Sequence, residues 1–115
     1  MAILSSHFLN GADGTHAGRV AVSVWLLSDG QERHLVFESK SEVDGRFEEE
    51  IPVDTDANYE MVVDTGAYFR ERAQKQSSLQ ICEKIVIRFR MPDPSRRYHI
   101  PIIISPNSYS CWWSS

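Results

Sequence analysis

The chain has 115 residues, long enough for one domain with a modest core. Hydrophobic residues make up 42% and charged residues 24%, the balance of an ordinary folded protein rather than a disordered one. A formal net charge of -4 gives no electrostatic pull toward nucleic acid or an anionic membrane surface, and no run approaches the ~20 apolar residues of a membrane-spanning helix.

In chain order, short alternating runs are separated by turn residues, the pattern of a β-rich protein. AILSSHFLN (2–10) reads as a first strand, closed by Gly11-Ala12-Asp13-Gly14. GRVAVSVWLL (18–27) follows, with Val20, Val22, Val24 and Leu26 on one face. Ser28-Asp29-Gly30 predicts a turn into ERHLVFES (32–39), and Asp44-Gly45 another into RFEEEI (46–51). NYEMVVD (58–64) is a further strand. Thr65 is the expected N-cap of the one helix, over 66–76. EKIVIRFRM (83–91) sets Ile85, Ile87 and Phe89 opposite Lys84, Val86, Arg88 and Arg90. RRYHIPIIIS (96–105) is read as one strand whose Pro101, lacking an N–H, predicts an edge position or a bulge. SYSCWWSS (108–115) has strand propensity to its end. About eight strands and one short helix predict an all-β, two-sheet sandwich. The expectation is a single domain over residues 1–115. MAILSSHFLN lacks a basic segment ahead of its short apolar run, so it does not read as a secretory leader and the expected location is cytoplasmic.

The residues able to do chemistry are few. His7, His16, His34 and His99 show no metal-ligand spacing, and no metal or other cofactor is expected. His16 and His34 lie in polar, turn-like contexts and read as surface residues, whereas His7 and His99 fall mid-strand among apolar neighbours. Cys82 and Cys111 are far apart, with no CxxC spacing and no adjacent base; two buried or half-buried thiols are expected rather than a nucleophile. No glycine-rich phosphate loop is present. The arginines at 70, 72, 88, 90, 96 and 97 read as solvated faces. Arg46, directly after the Asp44-Gly45 turn, is either a solvated strand end or a fork held toward a carbonyl-rich ligand.

Four stretches, ILSSHFLN (3–10), DGRF (44–47), TGAYF (65–69) and RRYHIPIIISPNSYS (96–110), resemble the transthyretin-like family in order and spacing, nearest to its 5-hydroxyisourate hydrolase branch. The resemblance covers essentially the whole chain. It implies an eight-stranded sandwich with one short helix, assembled as a homotetramer, a dimer of dimers, with sites facing a channel between dimers. It also implies that His7, Arg46 and His99 form a catalytic centre for metal-free opening of a cyclic amide in a small heterocyclic substrate. The hormone-carrying branch lacks the His of YHIP, which this chain keeps as His99.

The same resemblance breaks at the tail. Where the hydrolases carry Tyr-Arg-Gly-Ser in the site, this chain has Trp112, Trp113, Ser114 and Ser115. Only the terminal Ser is kept, as Ser115, and a cationic multi-donor group becomes the apolar plate of Trp113. Three readings stand on these residues. One is a hydroxyisourate hydrolase with an altered tail. Another is a repurposed relative acting on a larger, more aromatic heterocycle stacked on Trp112 and Trp113, with Ser114 beside it. The third is a ligand carrier without turnover. For the tryptophans themselves, packing at a subunit interface is a further account.

Overall fold

The computed structural model describes residues 1–28, 32–72 and 79–114. They form two stacked sheets. The first contains β1 (Ala2–Asn10), β4 (Arg46–Ile51), β7 (Arg97–His99), β8 (Ile102–Ser105) and β9 (Ser108–Cys111). The second runs in the order β3 (Arg33–Lys40), β2 (Ala21–Leu27), β5 (Asn58–Val63), β6 (Ile85–Phe89), every pair antiparallel. The helix α1 (Thr65–Glu71) follows β5.

Alternation determines which side of each strand is buried. Leu4 and Phe8 from β1, Val22 and Val24 from β2, Tyr59 and Met61 from β5, and Ile102 and Ile104 from β8 meet between the sheets at 3% exposure or less. Withdrawing each such side chain from water contributes about 1.5–3 kcal/mol, which makes this seam the main source of stability. The face predicted for β2 is the buried one, although Leu26 is only partly covered.

The fold differs from the sequence expectation at three places. Residues 96–105 are not one strand at an edge: Pro101 divides them into β7 and β8. Both pair in parallel with β1, at Ile3–Ser5 and at Phe8–Asn10, and β8 lies inside the sheet between β1 and β9. The missing N–H falls in the gap between the two ladders, where the Ile100 amide donates to Ser5 O at 2.9 Å and the Ser6 hydroxyl donates to the Ile100 carbonyl. Nine strands are therefore observed among the described residues where eight were expected. The helix is capped by Asp64, whose carboxylate accepts from the Ala67 amide at 3.2 Å, while Thr65 is already inside the helix and buried. The remainder of the predicted helix, residues 73–76, lies outside the described residues, as do Asp29 and Gly30 of the β2–β3 turn. Cys82 and Cys111 are unpaired and exposed, because Cys82 precedes β6 and Cys111 ends the edge strand β9. Among the described residues, no helix is long and apolar enough to cross a membrane.

Candidate active site

The outer face of the first sheet gathers the polar residues of β1, β4 and β7. With Leu4 and Phe8 turned inward, His7 and Ser5 fall on the opposite face. The antiparallel register with β4 sets Arg46 opposite His7 and Glu48 opposite Ser5, and the parallel register with β7 sets His99 beside Ser5. His7 and Arg46, directly opposed in the antiparallel pair, have Cβ atoms about 4.5–5.5 Å apart, and His99 stands beside Ser5 two residues along β1, so sheet pairing sets three sequence-distant residues on one face.

Arg46 is placed by a tight turn. Gly45 has φ +85°, and a Cβ there would stand 2.3 Å from the Phe8 carbonyl oxygen, so the turn requires glycine. The Gly45 carbonyl accepts from the Phe8 amide at 2.7 Å and the Asp44 carboxylate accepts from the Arg46 amide at 3.1 Å, which ties the turn to the strand carrying His7. The Arg46 side chain is exposed and has only a loose contact with Asp44, 3.7 Å from Nε to Oδ2. Its guanidinium is thus free to meet a ligand.

Both imidazoles titrate below the ordinary histidine value. For His7 the first cause is partial burial and the second is the Arg46 cation, with the Asp44 carbonyl opposing them. For His99 the causes are again burial, then Arg46, then Arg97. One guanidinium therefore biases both rings toward the neutral form. His7 Nε2 lies 3.0 Å from the Asp44 carbonyl oxygen and 2.9 Å from His16 Nδ1. A carbonyl only accepts, so its partner assigns the proton to Nε2 and leaves Nδ1 as the basic nitrogen. His99 Nδ1 is 2.9 Å from the Ser5 hydroxyl, which holds the ring in place.

The tail returns to this region. Ser114 and His99 exchange both backbone hydrogen bonds, at 2.8 and 3.2 Å, so Ser114 lies beside His99. Trp113, the preceding residue, points to the other side by the same alternation. Its ring packs on Tyr98 at 5.8 Å in an apolar cavity also lined by Phe89, Pro92 and Ile100. Trp112 is half-exposed. A cleft of about 630 Å³ is lined by Ser5, Arg46, Glu48, Arg97, His99 and Ser114, among others, and by neither tryptophan. His7 stands beside that cleft as the cross-strand partner of Arg46 rather than in its lining. Ser115 lies outside the described residues. Among the described residues, no three His, Cys, Asp or Glu side chains are grouped so as to hold a metal ion.

The HIUase/Transthyretin family model matches residues 4–113. The chain belongs to this family. It is 32% identical to 5-hydroxyisourate hydrolase 2 of Rhizobium meliloti, over 97% of this chain and 95% of that protein. It is 27% identical to a 5-hydroxyisourate hydrolase of Pseudomonas aeruginosa, over 100% of this chain and 93% of that protein. Among solved structures it superposes on an (S)-allantoin synthase with a TM-score of 0.82 at 27% identity, covering 99% of this chain but only 44% of that one.

Within this HIUase/transthyretin chain, the two residues that sequence reading passed over are Ser5 and His16. Ser5 gave no signal beyond its strand parity with His7. His16 read as a surface turn residue and is indeed exposed. Its signal was the turn itself: Gly11 to Gly14 fold the chain back so that His16 bridges to Leu9, two residues from His7.

Proposed function

We propose that this protein is a hydrolase that opens a cyclic amide, with 5-hydroxyisourate as the substrate to test first. The observation that carries the reading is the convergence of two neutral-biased imidazoles and one weakly paired guanidinium on a single sheet face. His7 Nδ1 removes a proton from water, whose oxygen attacks the ring carbonyl carbon. Arg46 and His99 hold the carbonyl oxygen as it gains negative charge; with the Ser5 hydroxyl donating to Nδ1, His99 presents Nε2–H. The C–N bond then breaks and the ring nitrogen takes a proton back from the His7 side. These steps need only side chains of this chain. The reading extends to residues 1–115 as one domain and to a dimer of dimers in which further copies close the open sheet face.

A second reading rests on the tail. Ser114 takes the place beside His99, and no cation from the tail enters the cleft lining. That leaves a wider, less cationic cleft, suited to a larger heterocycle. Trp113 packs on Tyr98 and lines the neighbouring apolar cavity, so where it stands it does not stack on a ligand in this cleft. The deciding experiment follows the loss of freshly generated 5-hydroxyisourate. Turnover well above the spontaneous rate, abolished in His99→Ala, supports the hydrolase. A rate equal to the spontaneous one sinks that substrate, and binding of aromatic heterocycles with no chemistry at all would indicate a carrier.

A further inference from the structure

The loop after β1 is built to a degree that a solvated turn does not need. The Asn10 side-chain carbonyl accepts from the amides of Ala12 and Asp13 at 2.8 and 3.2 Å, and the Asp13 carboxylate accepts from the amide and hydroxyl of Thr15 at 2.9 and 2.6 Å. Gly14 takes φ +79°, and the Ala17 amide then donates to the Phe8 carbonyl at 2.9 Å. The product of this loop is a fixed position for His16. Its ring meets that of His7 edge to edge, with centroids 5.0 Å apart and planes 26° from parallel, and its Nδ1 is 2.9 Å from His7 Nε2. Because the Asp44 carbonyl assigns the hydrogen to His7 Nε2, His16 Nδ1 is the acceptor.

We propose that His16 is the proton outlet of His7: as His7 Nδ1 gains a proton from the attacking water, its Nε2 proton passes to His16 Nδ1. The inference rests on His7 being the base of the proposed reaction. The balance is one proton in at Nδ1, one out at Nε2, and a single positive charge carried from His7 to His16. His7 faces the Arg46 guanidinium from β4, the Asp44 carbonyl and carboxylate from the turn, and His16 from the loop. An imidazolium held beside Arg46 in a partly buried setting is disfavoured, whereas His16 is open to water. Passing the charge outward lets a base that resists protonation still accept a proton. The proton on His16 returns by the same path when the ring nitrogen leaves, or is lost to solvent. His16 touches His7 and not the substrate, so it is a positioning and relay residue rather than a catalytic one.

The first test needs no substrate. In protein labelled with nitrogen-15 at histidine, a scalar coupling across the hydrogen bond should connect His7 Nε2 and His16 Nδ1. The His7 titration should depart from a single step in the wild type and become one independent step in His16→Ala. A second test uses kinetics. His16→Gln keeps a hydrogen-bond acceptor without proton affinity, and it is expected to lower kcat by about tenfold with little change in KM, with partial rescue by added imidazole. His34→Ala, exposed and outside the site, should leave both parameters unchanged. A His7 titration curve identical in wild type and His16→Ala overturns the inference, and so does an unaltered kcat in His16→Gln. A linked pair in a protein that does not consume 5-hydroxyisourate upholds the pairing and overturns only the substrate.

Discussion

The outer faces of the two sheets use the same residue types to opposite ends. On the second sheet, Glu60 is held between two arginines, Arg88 at 2.9 Å and Arg33 at 3.8 Å, and Arg33 also lies 4.4 Å over the Trp25 ring. The Glu60 charge is answered on the face itself. On the first sheet, Arg97 pairs with Glu48, but Arg46 keeps only a loose contact with Asp44 and faces His7 instead. A cation left near neutral imidazoles lowers their proton affinity, which costs stability and has no packing benefit to explain it. Around Glu60 the charges pair and meet water, whereas the loosely paired Arg46 stands on the face proposed to hold a ligand.

The contrast is broken most directly by His7→Asn. Removing the proposed general base should lower kcat/KM for ring opening by about a hundred- to ten-thousand-fold while the circular dichroism spectrum stays that of the wild type. Activity retained within a few-fold of wild type would place the chemistry elsewhere. Arg46→Gln is next in size. Loss of a charge-assisted hydrogen bond costs on the order of 1.5–3 kcal/mol, roughly ten- to a hundred-fold in rate. Arg46 also depresses both histidines, so their proton affinities rise in this variant and the acid limb of the kcat/KM profile moves to higher pH. The same change appears in stability. His7 and His99 bind protons less readily folded than unfolded, so wild-type stability falls as pH drops below about 6.5, where the unfolded chain protonates first. In Arg46→Gln that fall should be shallower, which urea melts at stepped pH will read. An equal slope in both proteins argues against Arg46 as the shared cause.

Local chemistry carried most of this architecture in the sequence. Alternation in AVSVWLL placed β2 with the correct inner face, and the Asp44-Gly45 turn placed the start of β4. Pro101 was legible as an interruption, but its consequence depended on which β1 residues lay across the gap, and nonlocal register is absent from a linear pattern. The site was less legible from composition and spacing. His7 and His99 stood out only as polar residues within apolar strands, and their grouping with Arg46 came from resemblance to the family. His16 required knowing that a tight turn closes against β1. The side on which Trp113 falls required the pairing of Ser114 with His99, a contact between residues 15 positions apart.

Trp113 sharpens the comparison at the sheet's other surface. Its ring covers Tyr98 away from the cleft, so Trp113→Ala should lower unfolding free energy by about 1–2 kcal/mol through lost aromatic contact. Turnover should change by no more than about fivefold, equivalent to roughly 1 kcal/mol at the barrier. A loss of activity as large as that of Arg46→Gln, with stability intact, would put the indole in the substrate site after all.

The smallest effect is expected on the paired face, and it tests whether pairing there is structural only. Glu60→Gln removes the carboxylate between Arg33 and Arg88, whose own side chains are 46% and 64% exposed. Glu60 itself is only 13% exposed, but its partners meet water and screen the pair, so the loss should be about 1 kcal/mol. Because the interaction is coulombic, the difference between wild type and variant should shrink as salt rises from low ionic strength toward ~1 M, where the screening length is about 3 Å. The kcat/KM profile should keep both its height and its pH limits, since Glu60 lies on the opposite sheet from both histidines. A shifted acid limb in Glu60→Gln would mean that the two faces are electrostatically joined through the core. The paired face would then be part of what tunes the imidazoles, and not merely the side of the sandwich turned to water.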